Sequence, residues 1–560
     1  MMRSTLLAFT LGFISAGVAS AADSAAVATR RANIIFLLAD DLGYGDIVAF
    51  GQKKIRTPNL DQLARDGMKL TNHYAGHNVC APSRCVFMTS LHPGHAYIRD
   101  NRGGVGMGDG NGGEGQEPVP PGELKLPPTM KKLGYTTGGF GKWGLGAVES
   151  TGGPLKQGMD HFFGFNDQAV AHNHYPTYLW DDDHKVMLNN PRFSAHQKLP
   201  PGADPNDPKS YAQFTGKDYA PDIIAARARD FLRENRSRPF FLYYPTTIPH
   251  LALQVPEDAL KEYEGAFPEE PYSGDYLPHR TPHAAYAAMI TRMDKNIGEL
   301  LRMVDEYGLR ENTIVVFTSD NGPLWDRFGG TDTAFFNSNA GLRGKKGTYY
   351  EAGFKEPCIV RWPGRIKAGS TSDRVTGFED WLPTFCELIG ARDATPAGID
   401  GISFAPTLLG RSQPERPFLY RESPGYDGQQ CVRVGGWKAI RTNLHPRPAA
   451  KNKQPGPIEL YDLKSDPTES NNVAGQHPEV VAKLAAIMKA QHVPSKLWPI
   501  SALDGLPPAQ PAAKKRKSRA RCPRLCAATL WSGLTWRRSS DQHTPALRAT
   551  PLGRGELQDC

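Results

Sequence analysis

The stretch Asn33-Ile34-Ile35-Phe36-Leu37-Leu38-Ala39-Asp40-Asp41 is an apolar run that ends in two adjacent carboxylates. A short apolar run of this kind is typical of a strand that is buried on both faces of a sheet. Two adjacent carboxylates repel each other, and burying them is costly unless a cation compensates their charge. The stretch therefore predicts a central strand followed either by a metal site or by an acidic loop that points to solvent.

Three further segments resemble buried strands: Phe240–Tyr244, Thr313–Ser319 and Cys358–Trp362. Between the first two, apolar residues recur at steps of three and four from Tyr286 to Val304, which predicts a long helix with one buried face. Strands that alternate with helices indicate an α/β fold with helical crossovers. A chain of 560 residues is long enough for one large domain and a smaller one.

The strand Thr313–Ser319 runs into Asp320-Asn321-Gly322, which repeats the pattern of an apolar run ended by oxygen ligands. In open α/β sheets, sites gather at the carboxyl ends of strands, so we expect both polar ends to meet at one ion. Ligands that are all oxygen favour Ca²⁺ or Mg²⁺ over zinc. Asp-Asn-Gly alone is usually a turn, so the interpretation depends on both segments together. The predicted ligands from the residues alone are Asp40, Asp41, Asp320 and Asn321.

The amino-terminal segment 1–21 has the order of a cleavable secretory signal. Arg3 precedes an apolar run from Leu6 to Val18, and the small residues Ala19-Ser20-Ala21 follow. We therefore expect export to the periplasm or the extracellular space. A membrane anchor is disfavoured because the run is short and interrupted, and no later segment is predicted to span a membrane.

The carboxyl-terminal tail is basic, with 11 Lys and Arg against three Asp and Glu from Pro511 onward. The rest of the chain is balanced in charge. A run such as Lys514–Lys517 is able to meet nucleic acid or anionic surfaces. The tail lacks apolar periodicity, however, which predicts a disordered, solvated segment over 506–560 and no nucleic-acid partner.

The body of the chain holds an odd number of cysteines: Cys80, Cys85, Cys358, Cys386 and Cys431. In an exported protein an odd number indicates at least one unpaired thiol. No C-x-x-C pair with the spacing of metal ligands occurs outside the tail, which disfavours both a disulfide scaffold and a structural zinc site.

The segment Cys80-Ala81-Pro82-Ser83-Arg84 carries the most specific motif. Alone, Cys80 is more typical of a structural or disulfide-bonded cysteine in a secreted chain. The segment resembles the C-x-P-S-R signature of type I sulfatases, in which the cysteine is oxidised to formylglycine during export. The resemblance extends from about Asn33 to Asn472. Further elements in the family's order are Asp40-Asp41, Gly141-Lys142-Trp143, His250, Ser319–Gly322 and Gly344–Glu351.

The resemblance implies a role for each matching residue. Arg84 would hold the hydrated aldehyde, and Lys142 and Lys346 would bind sulfate oxygens and stabilise charge in the transition state. His250 would protonate the leaving oxygen, and Asp320 would help to deprotonate the nucleophile. Lys345 stands beside Lys346, and alignment to Lys-Gly-Thr favours Lys346. The implied calcium ligands are Asp40, Asp41, Asp320, Asn321 and the modified Cys80.

An aldehyde has a chemical advantage over the thiol or hydroxyl it replaces, because those groups are poor nucleophiles until they are activated. The hydrated aldehyde offers two hydroxyls. One attacks sulfur and displaces the alcohol, and the second collapses to the carbonyl and expels sulfate. The implied maturation partner is a formylglycine-generating or sulfatase-maturating enzyme.

One position departs from the family pattern. Many sulfatases have Gly-Lys-Trp-His-Leu-Gly where this chain has Gly141–Gly146, so the usual histidine is replaced by Gly144. His172 or His174 are the alternative sources of an imidazole, and a polar loop that faces the substrate is the competing interpretation of both. A subgroup of bacterial relatives has the same glycine, so we do not expect loss of activity.

The resemblance also implies an α/β, alkaline-phosphatase-like architecture with a large mixed sheet sandwiched by helices, and a small C-terminal α+β domain. The catalytic domain is expected over 22–425 and the small domain over 426–505. The small domain would hold an antiparallel sheet around Cys431–Arg441 and Glu459–Leu463, followed by a helix over Pro478–Gln491.

The implied substrates are sulfated carbohydrates or aryl sulfates. The loops Gly103–Gly122 and Phe165–Asn190, which are rich in polar and aromatic residues, are candidates to line a sugar or aryl site. Two alternatives stay open. One is a phosphate or phosphonate ester hydrolase of the same superfamily, and the other is a catalytically inactive protein that binds sulfated glycans.

Overall fold

The structure is a computed structural model, and it describes residues 31–101, 114, 117–448, 450 and 454–507. The predicted signal 1–21 and the tail beyond residue 507 lie outside the described residues, as does most of the loop Gly103–Gly115.

A large mixed sheet forms the centre of the described chain. Its strand order is β10-β2-β9-β8-β1-β7-β3-β4-β5-β6, and β11 pairs with β2. The five central strands β8, β1, β7, β3 and β4 run parallel, whereas β9 and β5 are antiparallel to their neighbours. The strands are β1 Asn33–Asp40, β2 Met68–Tyr74, β3 Thr136–Lys142, β4 His161–Phe165, β5 Tyr178–Asp181, β6 His184–Met187, β7 Phe240–Pro249, β8 Thr313–Ser319, β9 Lys355–Arg361, β10 Ser370–Ser372 and β11 Thr376–Gly377.

The predicted central strand is confirmed as β1, which is buried along its whole length. Its side chains alternate between two cores, as the two-residue period of a strand requires. Ile35 and Leu37 pack in the core on one face of the sheet, and Phe36 and Leu38 pack in the core on the other. Helices cover both faces, so the expected sandwich is confirmed.

The long helix predicted from the apolar residues at steps of three and four is present in the described chain as α6. It packs against α1 and α4 on one face of the sheet. The helices are α1 Pro58–Asp66, α2 Cys80–Thr89, α3 Leu126–Lys132, α4 Ala220–Asn235, α5 Glu257–Leu260, α6 Pro282–Glu306, α7 Thr333–Phe336, α8 Trp381–Leu388, α9 Ala405–Leu408 and α10 Pro478–Gln491.

A second, four-stranded sheet follows near the carboxyl end and is antiparallel throughout. Helix α10 packs on it through Leu484 and Met488, which share a small core with the sheet. The expected C-terminal antiparallel sheet and its helix are therefore present. The strands are β12 Leu419–Ser423, β13 Gln429–Val434, β14 Trp437–Arg441 and β15 Ile458–Asp462.

The cysteines of the body are all unpaired and buried within the described residues. The predicted unpaired thiol is thus found, and in this part of the chain the fold relies on packing rather than on disulfides. None of the helices from residue 31 to residue 507 that the structure describes has the length and apolar character needed to cross a bilayer.

Candidate active site

Four neighbouring parallel strands deliver polar residues to one edge of the large sheet. Asp40 ends β1, Lys142 ends β3, Asp320 directly follows β8, and His250 directly follows β7. The strand register aligns these ends, since Ala39 lies opposite Ser319. The predicted convergence of Asp40 and Asp320 at the carboxyl ends of strands is therefore what the structure shows. Lys142 and His250, which were indicated only by the family resemblance, lie at the same edge.

Cys80 lies at the centre of this group as the first residue of α2, and only 1% of it is exposed. Its Sγ is 3.4 Å from Oδ1 of Asp40, 3.8 Å from Oδ1 of Asp41 and 3.3 Å from Nζ of Lys346. Burial raises the pKa of the thiol to about 12. The side chain as encoded is therefore a protonated thiol between carboxylates and an ammonium group.

Arg84 lies one helical turn after Cys80, so α2 presents both residues to the same edge of the sheet. Its Nε and Nη2 donate to Oδ2 of Asp320 at 3.0 and 2.7 Å, and Nη2 is 3.4 Å from Oδ2 of Asp40. Its Nη1 donates to the carbonyl of Lys142. Arg84 therefore holds three strand ends together, while the resemblance implies a contact with the group at position 80.

Two lysines face the two carboxylates at the end of β1. Nζ of Lys142 is 2.7 Å from Oδ2 of Asp40, and Nζ of Lys346 is 2.6 Å from Oδ1 of Asp41. Both lysines are almost fully buried. The structure brings Lys346 to Cys80, and Lys345 makes no ion pair with a carboxylate among the described residues.

The loop that carries Lys346 is fixed by backbone and side-chain bonds from several directions. The Lys346 N–H donates to the carbonyl of Pro323 at 2.8 Å, and the next N–H, of Gly347, donates to the carbonyl of Asn78 at 2.8 Å. Farther along the loop, Glu351 accepts from Nζ of Lys438 on β14 at 2.8 Å. The small sheet thus contributes to the placement of a site residue.

The three carboxylates differ in their acidity. Burial opposes ionisation of Asp40, but the positive charges of Lys142 and its other basic neighbours hold its pKa well below the ordinary value. Burial raises the pKa of Asp41 despite the charge of Lys346. Burial and the charge of Asp40 raise the pKa of Asp320 to about 7. The protein therefore concentrates three acids where additional positive charge is favourable.

The oxygen atoms available at this edge fit a hard cation. Ligand atoms of Asp40, Asp41, Cys80 and His250 lie within 4.8 Å of one another. Oδ2 of Asp41 and Oδ1 of Asn321 are buried and accept no hydrogen bond in the structure. Buried oxygens without partners are costly unless something else binds them. The donor set, mainly carboxylate and amide oxygen, is the kind that Ca²⁺ and Mg²⁺ prefer.

His250 is oriented by a backbone bond and by a stacked ring. Its Nδ1 is 2.7 Å from the carbonyl of Leu251, so this nitrogen carries the proton, and Nε2 lies 3.4 Å from Oδ2 of Asp41. The ring of His172 stacks on it, with centroids 4.8 Å apart. Burial, followed by the charges of Lys142 and Lys346, lowers the pKa of His250 well below the ordinary value, so the imidazole is neutral and its contact with Asp41 is not a salt bridge.

Gly144 has φ of +77°, which favours glycine. A Cβ added there would lie well inside 3.0 Å of Nε2 of Gln168. The space of a side chain at position 144 is therefore filled by Gln168, whose amide atoms are buried and accept or donate no hydrogen bond in the structure. His174 is also buried near the site, and its ring nitrogens have no hydrogen-bond partner there.

Sequence reasoning did not find Gln168 or the stacking of His172 on His250. Both features depend on how the segment after β4 folds back over β3 and β7. The only sequence signal was the cluster of polar residues after β4. It indicated that this loop contains candidate site residues, but not which of them contact the site.

Comparisons with known proteins agree over most of the chain. The family model described as Sulfatase matches residues 32–391, and the one described as N-sulphoglucosamine sulphohydrolase, C-terminal, matches residues 343–493. Arylsulfatase A of Homo sapiens is 31% identical, over 87% of this chain and 91% of that protein. The N-acetylgalactosamine-6-O-sulfatase of Bacteroides thetaiotaomicron is 29% identical, over 82% of this chain and 93% of that protein.

The fold is shared with solved structures as well. One is a protein in complex with its substrate D-glucosamine-2-N,6-O-disulfate, with a TM-score of 0.63 and 22% identity over 83% of this chain and 98% of that chain. The match of the family model across the large sheet, together with the similarity to human arylsulfatase A, shows that the chain belongs to the sulfatase family.

Proposed function

We propose that this sulfatase removes sulfate from sulfated carbohydrates or aryl sulfates with a formylglycine made from Cys80 and one Ca²⁺. The observation that carries the proposal is the position of Cys80, whose sulfur lies within 3.8 Å of Asp40, Asp41 and Lys346. A side chain with this position is surrounded by groups that bind a cation on one side and an anion on another.

The residues that would hold Ca²⁺ are Asp40, Asp41, Asp320, Asn321 and the modified Cys80. The unpartnered oxygens of Asp41 and Asn321 support this ligand set. When bound, Ca²⁺ supplies Lewis-acid polarisation, and the formylglycine supplies the hydroxyl group that attacks sulfur.

Lys142 and Lys346 bind the sulfate oxygens. Their ammonium groups are held next to position 80 by Asp40 and Asp41, so they are oriented before the substrate arrives. Buried cations that are already in place stabilise charge in the transition state without reorganising. Arg84 fixes Asp320 by two hydrogen bonds and lies 3.4 Å from Asp40, which keeps these polar strand ends close to α2.

His250 donates a proton to the leaving oxygen from Nε2. Its Nδ1 is committed to the carbonyl of Leu251, which leaves Nε2 as the nitrogen that faces the site. The negative charge of a bound sulfate ester raises the pKa of a neighbouring imidazole and so supplies the protonated form.

Maturation of Cys80 precedes folding. Only 1% of Cys80 is exposed, so an enzyme that oxidises it needs the unfolded chain. A formylglycine-generating or sulfatase-maturating enzyme that acts during export meets this requirement. Export to the periplasm or extracellular space, directed by residues 1–21, is part of the proposal.

A phosphate or phosphonate ester hydrolase is the main competing function. The site offers one group of oxygen ligands flanked by two lysines, whereas two-metal phosphatases place a second ion beside the first. The test compares hydrolysis of 4-nitrophenyl sulfate, 4-nitrophenyl phosphate and phenyl phosphonate esters by the matured protein. We expect the highest kcat/KM with the sulfate ester.

A higher kcat/KM with either phosphorus ester would overturn the proposal. No turnover of any ester, in protein shown to carry the aldehyde, would favour a protein that binds sulfated glycans without cleaving them.

A further inference from the structure

Gln429, the first residue of β13, is buried and uses both polar atoms of its side-chain amide. Its Nε2 donates to the carbonyl of Gly347 at 2.6 Å, and its Oε1 accepts from the backbone N–H of Tyr349 at 3.1 Å. A side chain can fix a short piece of backbone most firmly when it binds the chain at two points. Gln429 belongs to the small sheet, yet it holds the backbone directly after Lys346.

Gly347 connects Gln429 to the segment that precedes α2. The N–H of this glycine donates to the carbonyl of Asn78 at 2.8 Å, and Asn78 lies two residues before Cys80. The glycine is therefore held at its N–H and at its carbonyl. Two hydrogen bonds in series run from the small sheet to the start of α2, through the residue next to Lys346.

The connection between β12 and β13 also packs on Gly347. The φ of this glycine is +84°, and a Cβ added there would lie 2.6 Å from Cε1 of Tyr426. A positive φ of this size favours glycine, and the ring of Tyr426 covers the side of the backbone where a side chain would stand. The small sheet thus limits the position of residue 347 by contact as well as by hydrogen bonding.

The ammonium group of Lys346 is placed over short distances that depend on this backbone. Its Nζ lies 3.3 Å from Sγ of Cys80 and 2.6 Å from Oδ1 of Asp41. Lysine has a long and flexible stem, so its ammonium group keeps one position only when the backbone that carries it is held. A displacement of about 1 Å near reacting atoms is able to cost about 100-fold in rate.

We propose that Gln429 is a positioning residue for Lys346, through which the small sheet determines how tightly sulfate binds beside position 80. The inference rests on the proposed sulfatase function and adds a residue to it. Gln429 acts through the backbone of Gly347 and Tyr349 rather than by contact with the substrate.

The test replaces Gln429 by methionine, which keeps the length of the side chain and removes its amide. Steady-state kinetics of the matured protein measure KM for 4-nitrophenyl sulfate and the inhibition constant Ki of inorganic sulfate. We expect both constants to rise about tenfold, the effect of one weakened hydrogen bond to a charged group. Neither constant depends on how much of the protein is folded or carries the aldehyde, so a loss of stability alone leaves both unchanged.

Gln430 provides the matched control. It is also buried, and successive residues of a strand point to opposite faces. Its Nε2 donates to the hydroxyl of Tyr420 at 2.7 Å and to the carbonyl of Met488 at 3.0 Å, both outside the loop that carries Lys346. Gln430→Met therefore removes the same number of hydrogen bonds, and we expect it to lower the melting temperature while KM and Ki keep their wild-type values.

The assignment is wrong if KM and Ki are unchanged in Gln429→Met, or if Gln430→Met raises them equally. Should Gln429→Met not fold, Gln429→Asn and Gln430→Asn give the same comparison, because the shorter amide does not reach both backbone groups. Wild-type protein that cleaves no sulfate ester contradicts the proposed function instead. Wild-type protein that cleaves the ester with a KM equal to that of the folded Gln429 variant contradicts only the positioning role.

Discussion

Replacement of Gly144 by alanine tests the conformation of the chain next to Lys142. The φ of +77° at Gly144 costs a residue with a side chain about 1–2 kcal/mol. The added Cβ also meets Nε2 of Gln168. Moving a buried side chain to relieve such a contact costs about 1–3 kcal/mol. We therefore expect Gly144→Ala to lower the free energy of unfolding by about 2–5 kcal/mol.

Gly134 provides a matched control for the backbone contribution. Its φ is +83°, and an added Cβ would have nothing within 4 Å. Gly134→Ala should therefore lower the free energy of unfolding only by the backbone contribution, about 1–2 kcal/mol. In the Gly144→Ala/Gln168→Ala double variant the contact with Gln168 is absent. After the effect of Gln168→Ala alone is subtracted in a double-mutant cycle, the loss of unfolding free energy at position 144 should therefore equal the backbone contribution.

Urea unfolding at fixed pH measures the four variants and wild type, with the midpoint and the slope compared for each. Equal losses for Gly144→Ala and Gly134→Ala, or no coupling between positions 144 and 168, would show that Gln168 does not oppose a side chain at position 144. The result also bears on the departure from the family pattern, because it asks whether Gln168 occupies the space that a side chain at position 144 would need.

Three further predictions concern the ion, the tail and acid stability. Asp320→Ala should abolish calcium binding, measured by calorimetry, and turnover, because it removes a ligand and leaves Arg84 buried without its main partner. Ending the chain after Leu506 should leave the melting temperature and turnover unchanged, because the removed segment has no periodic apolar face to dock. Burial lowers the pKa of His73 from the ordinary 6.5 to about 3, so the unfolded state binds more protons below about pH 6.5. The free energy of unfolding should therefore be fully retained above that pH and fall by up to about 1.4 kcal/mol for each pH unit below it, down to about pH 3, and His73→Gln should remove this contribution.

Each of these predictions has a result that contradicts it. Full turnover with retained calcium in Asp320→Ala would mean that the strand ends are not the metal site. A clear drop in melting temperature on truncation would reveal a structural role for the tail. An unchanged slope of unfolding free energy against pH in His73→Gln, measured between pH 7 and pH 4, would show that His73 is protonated equally in both states.

The sequence predicts the central strands because they are buried on both faces. The expected segment Thr313–Ser319 matches β8, and the apolar run Asn33–Ala39 lies within β1, which is one residue longer. β3 could not be predicted in the same way, since Thr136–Lys142 contains three glycines and lacks an apolar run. Its place in the sheet depends on pairing with β4, the next strand of the chain, and with β7, which is distant in sequence.

Four candidate site residues, Asp40, Asp41, Asp320 and Asn321, could be predicted because each follows or ends an apolar run. Lys142, His250 and Lys346 were indicated only by the resemblance to the family. The hydrogen-bond partner of Arg84 could not be predicted from the sequence, because its bond to Asp320 depends on the direction of α2 relative to β8. Gln168 and the stacked ring of His172 were also missed, since loop conformation rather than local pattern brings them to Gly144 and His250.

The extent of oxidation at position 80 measures whether the aldehyde is the group that acts on sulfate esters. Preparations that differ in coexpressed maturating enzyme are digested, and mass spectrometry measures the fraction of the residue-80 peptide that carries an aldehyde. We expect the rate of sulfate ester hydrolysis per mole of protein to be proportional to this fraction and to extrapolate to zero when no aldehyde is present. Full hydrolysis by protein that retains an unmodified Cys80 would contradict it.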